Sequence, residues 1–294
     1  MTSIIGYIVW DPSPTTIFGL RYYSLCWLVG LLGSYLIAKW IYKDQGIKND
    51  VYEPLFLYCF VGVLIGGRLG HCLFYQPDYF LTSWRHFIEM IVPIRFMADG
   101  SVRFTGYEGL ASHGGVIGLI VAMALYVRHY KVPVWFVLDT VGLAAPITAF
   151  FIRMGNLMNS EIIGKVTDVP WALIFRQVDY MPRHPGQVYE ALAYITLLFI
   201  GLAIYKRHRN RMGTGFYFGL CLAYVFVFRF FIEFVKEIQE EFEASLPLDM
   251  GQLLSIPFAL IGIVCIVQSR KRKVVEIDPS VMINPKEKTK KKKT

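Results

Sequence analysis

Residues 136–152, FVLDTVGLAAPITAFFI, hold one ionisable side chain, Asp139, while the next nine, RMGNLMNSE (Arg153–Glu161), hold an arginine, two asparagines and a glutamate. An apolar run close to the roughly 20 residues that a bilayer-crossing helix needs ends abruptly in polar groups. That change is expected where a span leaves hydrocarbon and meets lipid head groups. The whole chain agrees: its 294 residues are 55% hydrophobic and 18% charged, with a mean hydropathy of +0.44. A soluble domain is about 25% charged. The composition predicts an all-α, polytopic integral membrane protein.

Seven apolar runs of about span length lie near residues 20–41, 53–75, 113–129, 133–152, 187–205, 214–235 and 251–268. Lys39, Lys43 and Lys48 surround the first linker, Arg128 and Lys131 the third, and Lys206, Arg207, Arg209 and Arg211 the fifth. Residues 270–294 carry ten Lys/Arg against three Asp/Glu, most of the net charge of +8, whereas the sixth linker, EIQEEFEASLPLD, is acidic. Basic residues collect on the cytoplasmic side. The alternation therefore predicts seven transmembrane helices, N-terminus outside and C-terminus cytoplasmic. Residues 1–269 are expected to form one seven-span domain with extracytoplasmic segments near 76–112 and 153–186. Residues 270–294 would be a basic cytoplasmic tail facing anionic lipid.

A basic excess confined to a tail argues against nucleic acid as a partner. The five cysteines sit in apolar runs without paired spacing, as small buried hydrophobes. The first run is long and lacks a charged segment before it, as for a retained span rather than a cleaved signal.

With that orientation, polar residues can be placed by depth at about 1.5 Å per residue. Arg68 and His71 fall in the outer half of the second span, His113 opens the third and Arg153 ends the fourth. Arg229 and Glu233 stand one turn apart near the outer end of the sixth, and Tyr22 and Tyr23 open the first. Asp139 alone lies near an inner end. Each has an ordinary reading: an arginine snorkelling to the interface, an i, i+4 ion pair, an aromatic belt. Their convergence is harder to dismiss, because a charge within a span is costly unless paired or facing a cavity. Three arginines and two histidines at one level suit an anion, and arginine grips phosphate in a bidentate fork. A phosphate at that depth belongs to a phospholipid head group. The neighbouring glycines (Gly66, Gly67, Gly114, Gly115 and Gly155) could open backbone to a ligand or let helices approach.

No HExxH, no DxD with ligand spacing, no GxSxG elbow and no glycine-rich nucleotide loop occurs, so neither metal nor cofactor is expected. A lipid transferase whose leaving group is already a phosphate ester needs neither. It needs cations for the departing phosphate, here Arg153 and Arg229, and a base for the nucleophile, here His113.

LASHGGVIG, RMGNLMNSEIIGK, RHPGQVYE and MGQLLSIP together resemble the prolipoprotein diacylglyceryl transferases, and GGRLGHCLFY and YYSL agree. The resemblance runs from about residue 18 to 268. It implies a multi-pass enzyme of the bacterial plasma (inner) membrane that acts in lipoprotein biosynthesis. Such an enzyme moves the diacylglyceryl group of phosphatidylglycerol to the lipobox cysteine thiol of a preprolipoprotein signal peptide, forming a thioether and releasing glycerol phosphate. By motif, His113, Arg153, Arg229 and Tyr23 correspond to the catalytic set. Phosphatidylglycerol binding is implied for Arg153, Asn156, Asn159, Glu161, Gly164, Arg68, Gly114, Gly115 and Glu233. Val225 stands where the family can carry a tyrosine, and Tyr224 is one helical step of about 100° away; Tyr224 is left out of the set. The segment before HGG is also longer than in some members. The other reading of the arginines is a transporter or flippase of an anionic lipid. Against it stand the absence of inverted repeats and the want of polar groups in the inner half.

Overall fold

The computed structural model describes residues 6–283, except 93, 98, 105–108 and 238–247. Most of the acidic sixth linker and the lysine-rich end of the tail therefore lie outside the described residues. Six helices are long and apolar enough to cross a membrane: Tyr22–Asp44, Asn49–Tyr75, Val134–Met158, Gly186–Arg207, Phe216–Val235 and Met250–Ser269. They correspond to α1, α2 with the π-turn that prolongs it, α6, α7, α8 with its last 3₁₀ turn, and α9. The remaining expected span is also a helix, α5 (Ser112–Tyr130). Its ends carry His113, Arg128 and His129, which leave a shorter apolar middle. The chain is thus a mostly helical, multi-pass membrane protein. It divides into two compact units, residues 1–41 with 135–275 and residues 42–134 with 276–294.

In the first unit, β1 (Ile8–Trp10) runs parallel to β4 (Leu173–Phe175), which pairs antiparallel with β5 (Pro182–Arg183). These short strands, absent from the helix-only expectation, form outside the spans. The Trp10 indole donates to the Leu157 carbonyl at 2.9 Å and so ties β1 to the end of α6. Asp139, the expected outlier, is fully buried. Its oxygens accept from the N–H groups of Gly213, Gly215 and Phe218 at 2.9–3.0 Å. Low in the span it caps the start of α8 (Phe216–Ile232), satisfying donors that hydrocarbon could not. Where α8 and α9 cross, a Cβ on Gly219 or Gly262 would meet the facing backbone within 2.8 Å.

In the second unit, α2 (Asn49–Gly70) and α5 pack backbone to backbone. Gly62, Gly66 and Gly70 share one face at four-residue spacing and meet Gly114, Gly118 and Ala122, as small residues do at membrane helix contacts. The segment after α2 forms α3 (Pro77–Phe80), α4 (Trp84–Ile91) and the hairpin β2 (Ile94–Phe96)–β3 (Val102–Phe104). Glu89, buried in it, accepts from the Tyr79 hydroxyl and the Phe96 N–H, both at 2.7 Å. The start of the tail folds back, with Val281 accepting from Lys48 N–H at 3.0 Å and Ile283 donating to Gly46 at 2.9 Å.

Candidate functional site

The first unit brings together eight of the expected residues: Tyr23, Arg153, Asn156, Asn159, Glu161, Gly164, Arg229 and Glu233. Arg153 sits in the last turns of α6. Its Nε lies 2.9 Å from Oε2 of Glu190 on α7, and its Nη2 lies 3.2 Å from Oε1. Nη1 donates to Asn156 Oδ1 at 3.0 Å. A guanidinium carries five N–H groups, and the Tyr194 hydroxyl also lies within hydrogen-bond reach of this one. Glu190 is fully buried and also receives the Tyr194 hydroxyl at 3.4 Å.

Asn156, buried, passes the chain on to Glu161 Oε1 at 2.7 Å, and Asn159 reaches the same oxygen at 3.4 Å. The Gln187 side chain donates to the Glu161 carbonyl at 2.6 Å. Its Oε1 and the Ser160 hydroxyl are buried with no hydrogen-bond partner among the described residues. The turn is bent sharply, with Ser160 and Ile162 at φ +52° and +57°, a region costly for side chains branched at Cβ.

Gly164 lies where three backbone segments meet. Its N–H donates to His184 at 2.9 Å, while the N–H groups of Lys165 and Glu237 reach the Val235 and Ile163 carbonyls at 2.8 and 3.2 Å. A Cβ there would sit 2.6 Å from the His184 carbonyl oxygen and 2.8 Å from that of Val235. Gly155 likewise seats the Tyr23 ring, 2.8 Å from where its Cβ would be.

At the end of α8, Arg229 Nε and Lys236 Nζ flank Glu233 Oε1 at 3.3 and 2.9 Å. Lys236 is buried, but the Arg229 side chain is 39% exposed. Glu233 and Tyr194 both lie within electrostatic range of Arg153, and Tyr194 also of Arg229. The three cations face Glu190, Glu233 and the exposed Glu161, so the charges balance. The arrangement thus offers an anion oriented N–H groups rather than a net positive charge.

The other four expected residues belong to the second unit. Arg68 is buried, with Nη2 and Nε on the Glu89 and Met90 carbonyls at 2.8 and 3.3 Å and its guanidinium 4.9 Å from the Phe80 ring centre. Arg68, expected to bind phosphatidylglycerol, thus meets the carbonyls of α4. Gly114 lies in the α2–α5 seam, where a Cβ would be 2.8 Å from Gly70 Cα, and Gly115 faces Val63 more loosely. His113 is exposed in the first turn of α5.

Glu190, Gln187, Tyr194 and Lys236 were not singled out from sequence. RHPGQVYE, whose last residue is Glu190, was the available signal, but its partner is distant in the chain.

A family model described as prolipoprotein diacylglyceryl transferase matches residues 14–268. A phosphatidylglycerol–prolipoprotein diacylglyceryl transferase of Bacteroides fragilis is 51% identical over 280 residues, covering 94% of this chain and 100% of its own. Relatives of the same name from Chloroherpeton thalassium and Tolumonas auensis are 39% and 36% identical, covering 92% and 90% of this chain and 97% and 99% of theirs.

Proposed function

This chain belongs to the prolipoprotein diacylglyceryl transferase family, and from that premise we propose that Arg153 and Arg229 hold the phosphate of phosphatidylglycerol while its diacylglyceryl group is transferred. The protein is an enzyme of lipoprotein maturation, with phosphatidylglycerol and a prolipoprotein as substrates. The acceptor in this reading is the lipobox cysteine. Its sulfur bonds to the glyceryl carbon as the bond from that carbon to the phosphate oxygen breaks. Glycerol phosphate leaves with the bond's electron pair, and the thiol proton passes to a base.

The carrying observation is the orientation of Arg153. Glu190 occupies one edge of its guanidinium and Asn156 one further nitrogen. The open side of the guanidinium that these partners leave suits a phosphate oxygen. Arg229, anchored at Nε by Glu233, presents the rest of its fork. These cations stabilise charge that grows on the departing phosphate. His113 is assigned as the thiol base by its chemistry and exposure, since an exposed imidazole can accept a proton from a thiol. Tyr23, on Gly155, and the Asn156–Glu161–Asn159 turn are assigned to the glycerol head group. Gly164 serves by letting three backbones converge beside that turn. Arg68, Gly114 and Gly115 enter as residues that shape the second unit.

The same reading puts the protein in the bacterial inner membrane with seven spans, α5 among them, the N-terminus outside and a basic tail inside. The test is to incubate purified protein with phosphatidylglycerol and a lipobox peptide. A gain of one diacylglyceryl mass on the peptide cysteine is expected. No gain under several lipid conditions would return the arginines to the transport reading.

A further inference from the structure

At the end of the first unit remote from Arg153, the turn Arg209–Arg211, the start of α8 and the end of α9 enclose a pocket of about 440 Å³. Arg211, Arg270 and Arg272 line it, with Asn210, Thr214 and Ser269. Asp139, which caps α8 here, and Arg153 are 14 residues apart on α6, a rise of roughly 21 Å. The two arginine clusters therefore lie near opposite membrane faces.

Arg272 is held rigidly. Its Nη1 donates to the Thr214 carbonyl at 2.5 Å and its Nη2 to Gln268 Oε1 at 3.0 Å. Its guanidinium lies 3.7 Å from the centre of the Trp135 ring. Arg211 packs over Phe216 at 4.5 Å. Arg211 and Arg270 are exposed, and neither has an ion-pair partner among the described residues. Among the described residues, no carboxylate lines the pocket. Asp139 is fully buried, with both oxygens taken by backbone N–H groups. Interfacial lysines and arginines in general attract anionic lipid diffusely. Here three planar guanidiniums from separate segments surround one space, and one of them is fixed against an indole.

We propose that this pocket binds the phosphate of an anionic phospholipid in the leaflet opposite the substrate's, as a resident lipid that is not consumed. The choice of leaflet rests on Arg153 marking the substrate side; the binding itself does not. Arginine forks match the paired oxygens of a phosphate diester, and the acyl chains would lie along the apolar flanks of the adjoining spans.

The test measures phosphatidylserine binding to the full-length protein in detergent by native mass spectrometry, against phosphatidylcholine and inorganic phosphate. Phosphatidylserine should bind and phosphatidylcholine should not. Arg211→Gln with Arg270→Gln should weaken it at least about tenfold, the scale of a lost charge-assisted contact. Arg270→Gln alone should give a smaller loss in the same direction, and both variants should retain diacylglyceryl transfer, which reports folding. Unchanged phosphatidylserine affinity in the double variant would overturn the proposal. So would displacement by inorganic phosphate as effective as by the lipid. Arg153→Ala separates the two sites: it should leave this binding intact. If Arg153→Ala also leaves diacylglyceryl transfer unchanged, the substrate assignment falls and this pocket stands.

Discussion

Arg153 takes its orientation from Glu190, a carboxylate 37 residues further along the chain. Glu190 is fully buried, so neither partner is easily lost: removing one charge from a buried pair typically costs about 3–5 kcal/mol. Glu190→Gln should therefore loosen the arginine and weaken phosphatidylglycerol binding, and Arg153→Ala should weaken it at least about tenfold. In the double variant the losses should be far from additive, because the two side chains act as one group. Binding isotherms of the three variants measure this, and strict additivity would separate Glu190 from the site. His113 is a different case. A positioned general base contributes about 10²–10⁴-fold, so His113→Gln should lower turnover by about 100-fold or more with phosphatidylglycerol affinity nearly unchanged. Near-normal turnover would remove it as the base.

The helices of the second unit depend on the absence of side chains. A Cβ on Gly66 would lie 2.7 Å from Gly118 Cα, against backbone that has no room to give. Gly66→Val should therefore destabilise the α2–α5 contact by about 1–3 kcal/mol or more, read as a lower unfolding temperature in detergent. An exposed side chain elsewhere on α2, changed as Phe60→Leu, is the control. The segment after α6 is held differently. Arg183 donates to Asp179 at 2.6 Å and to Glu237 at 2.8 Å, and the hydrogen bond from Arg183 keeps the Asp179 carboxyl below its ordinary value. A lowered acid contributes stability above its unfolded pKa and loses it as pH falls through the folded one. The stability advantage of the wild type over Asp179→Asn should thus be full at neutral pH. It should shrink below about pH 4, and a pH-independent gap would show that the pair is not the cause.

For the whole molecule, reporter fusions test the crossing of α5 and the orientation of the chain. If α5 crosses, a phosphatase reporter inserted in its preceding segment should be active, and one after Lys131 silent. Activity at both positions would leave α5 as a helix that does not span. The same logic applied to the tail should give a cytoplasmic signal.

Apolar runs near the length of a bilayer crossing were legible in the sequence because hydrocarbon thickness imposes length and composition on each helix separately. So was the polar stretch after Ile152, since RMGNLMNSE breaks the pattern within a few residues. The signature motifs likewise identified the family from local residues alone. What the sequence could not show were pairings across distance. Glu190 has no local reason to be charged, and nothing beside Lys236 in the sequence marks it as buried. The carbonyl partners of Arg68 on α4 were not legible either, and Asp139 looked like a misplaced charge until its oxygens were seen capping α8. A local motif specifies which groups are available, whereas the partner of a buried charge depends on which helix ends the tertiary fold brings together.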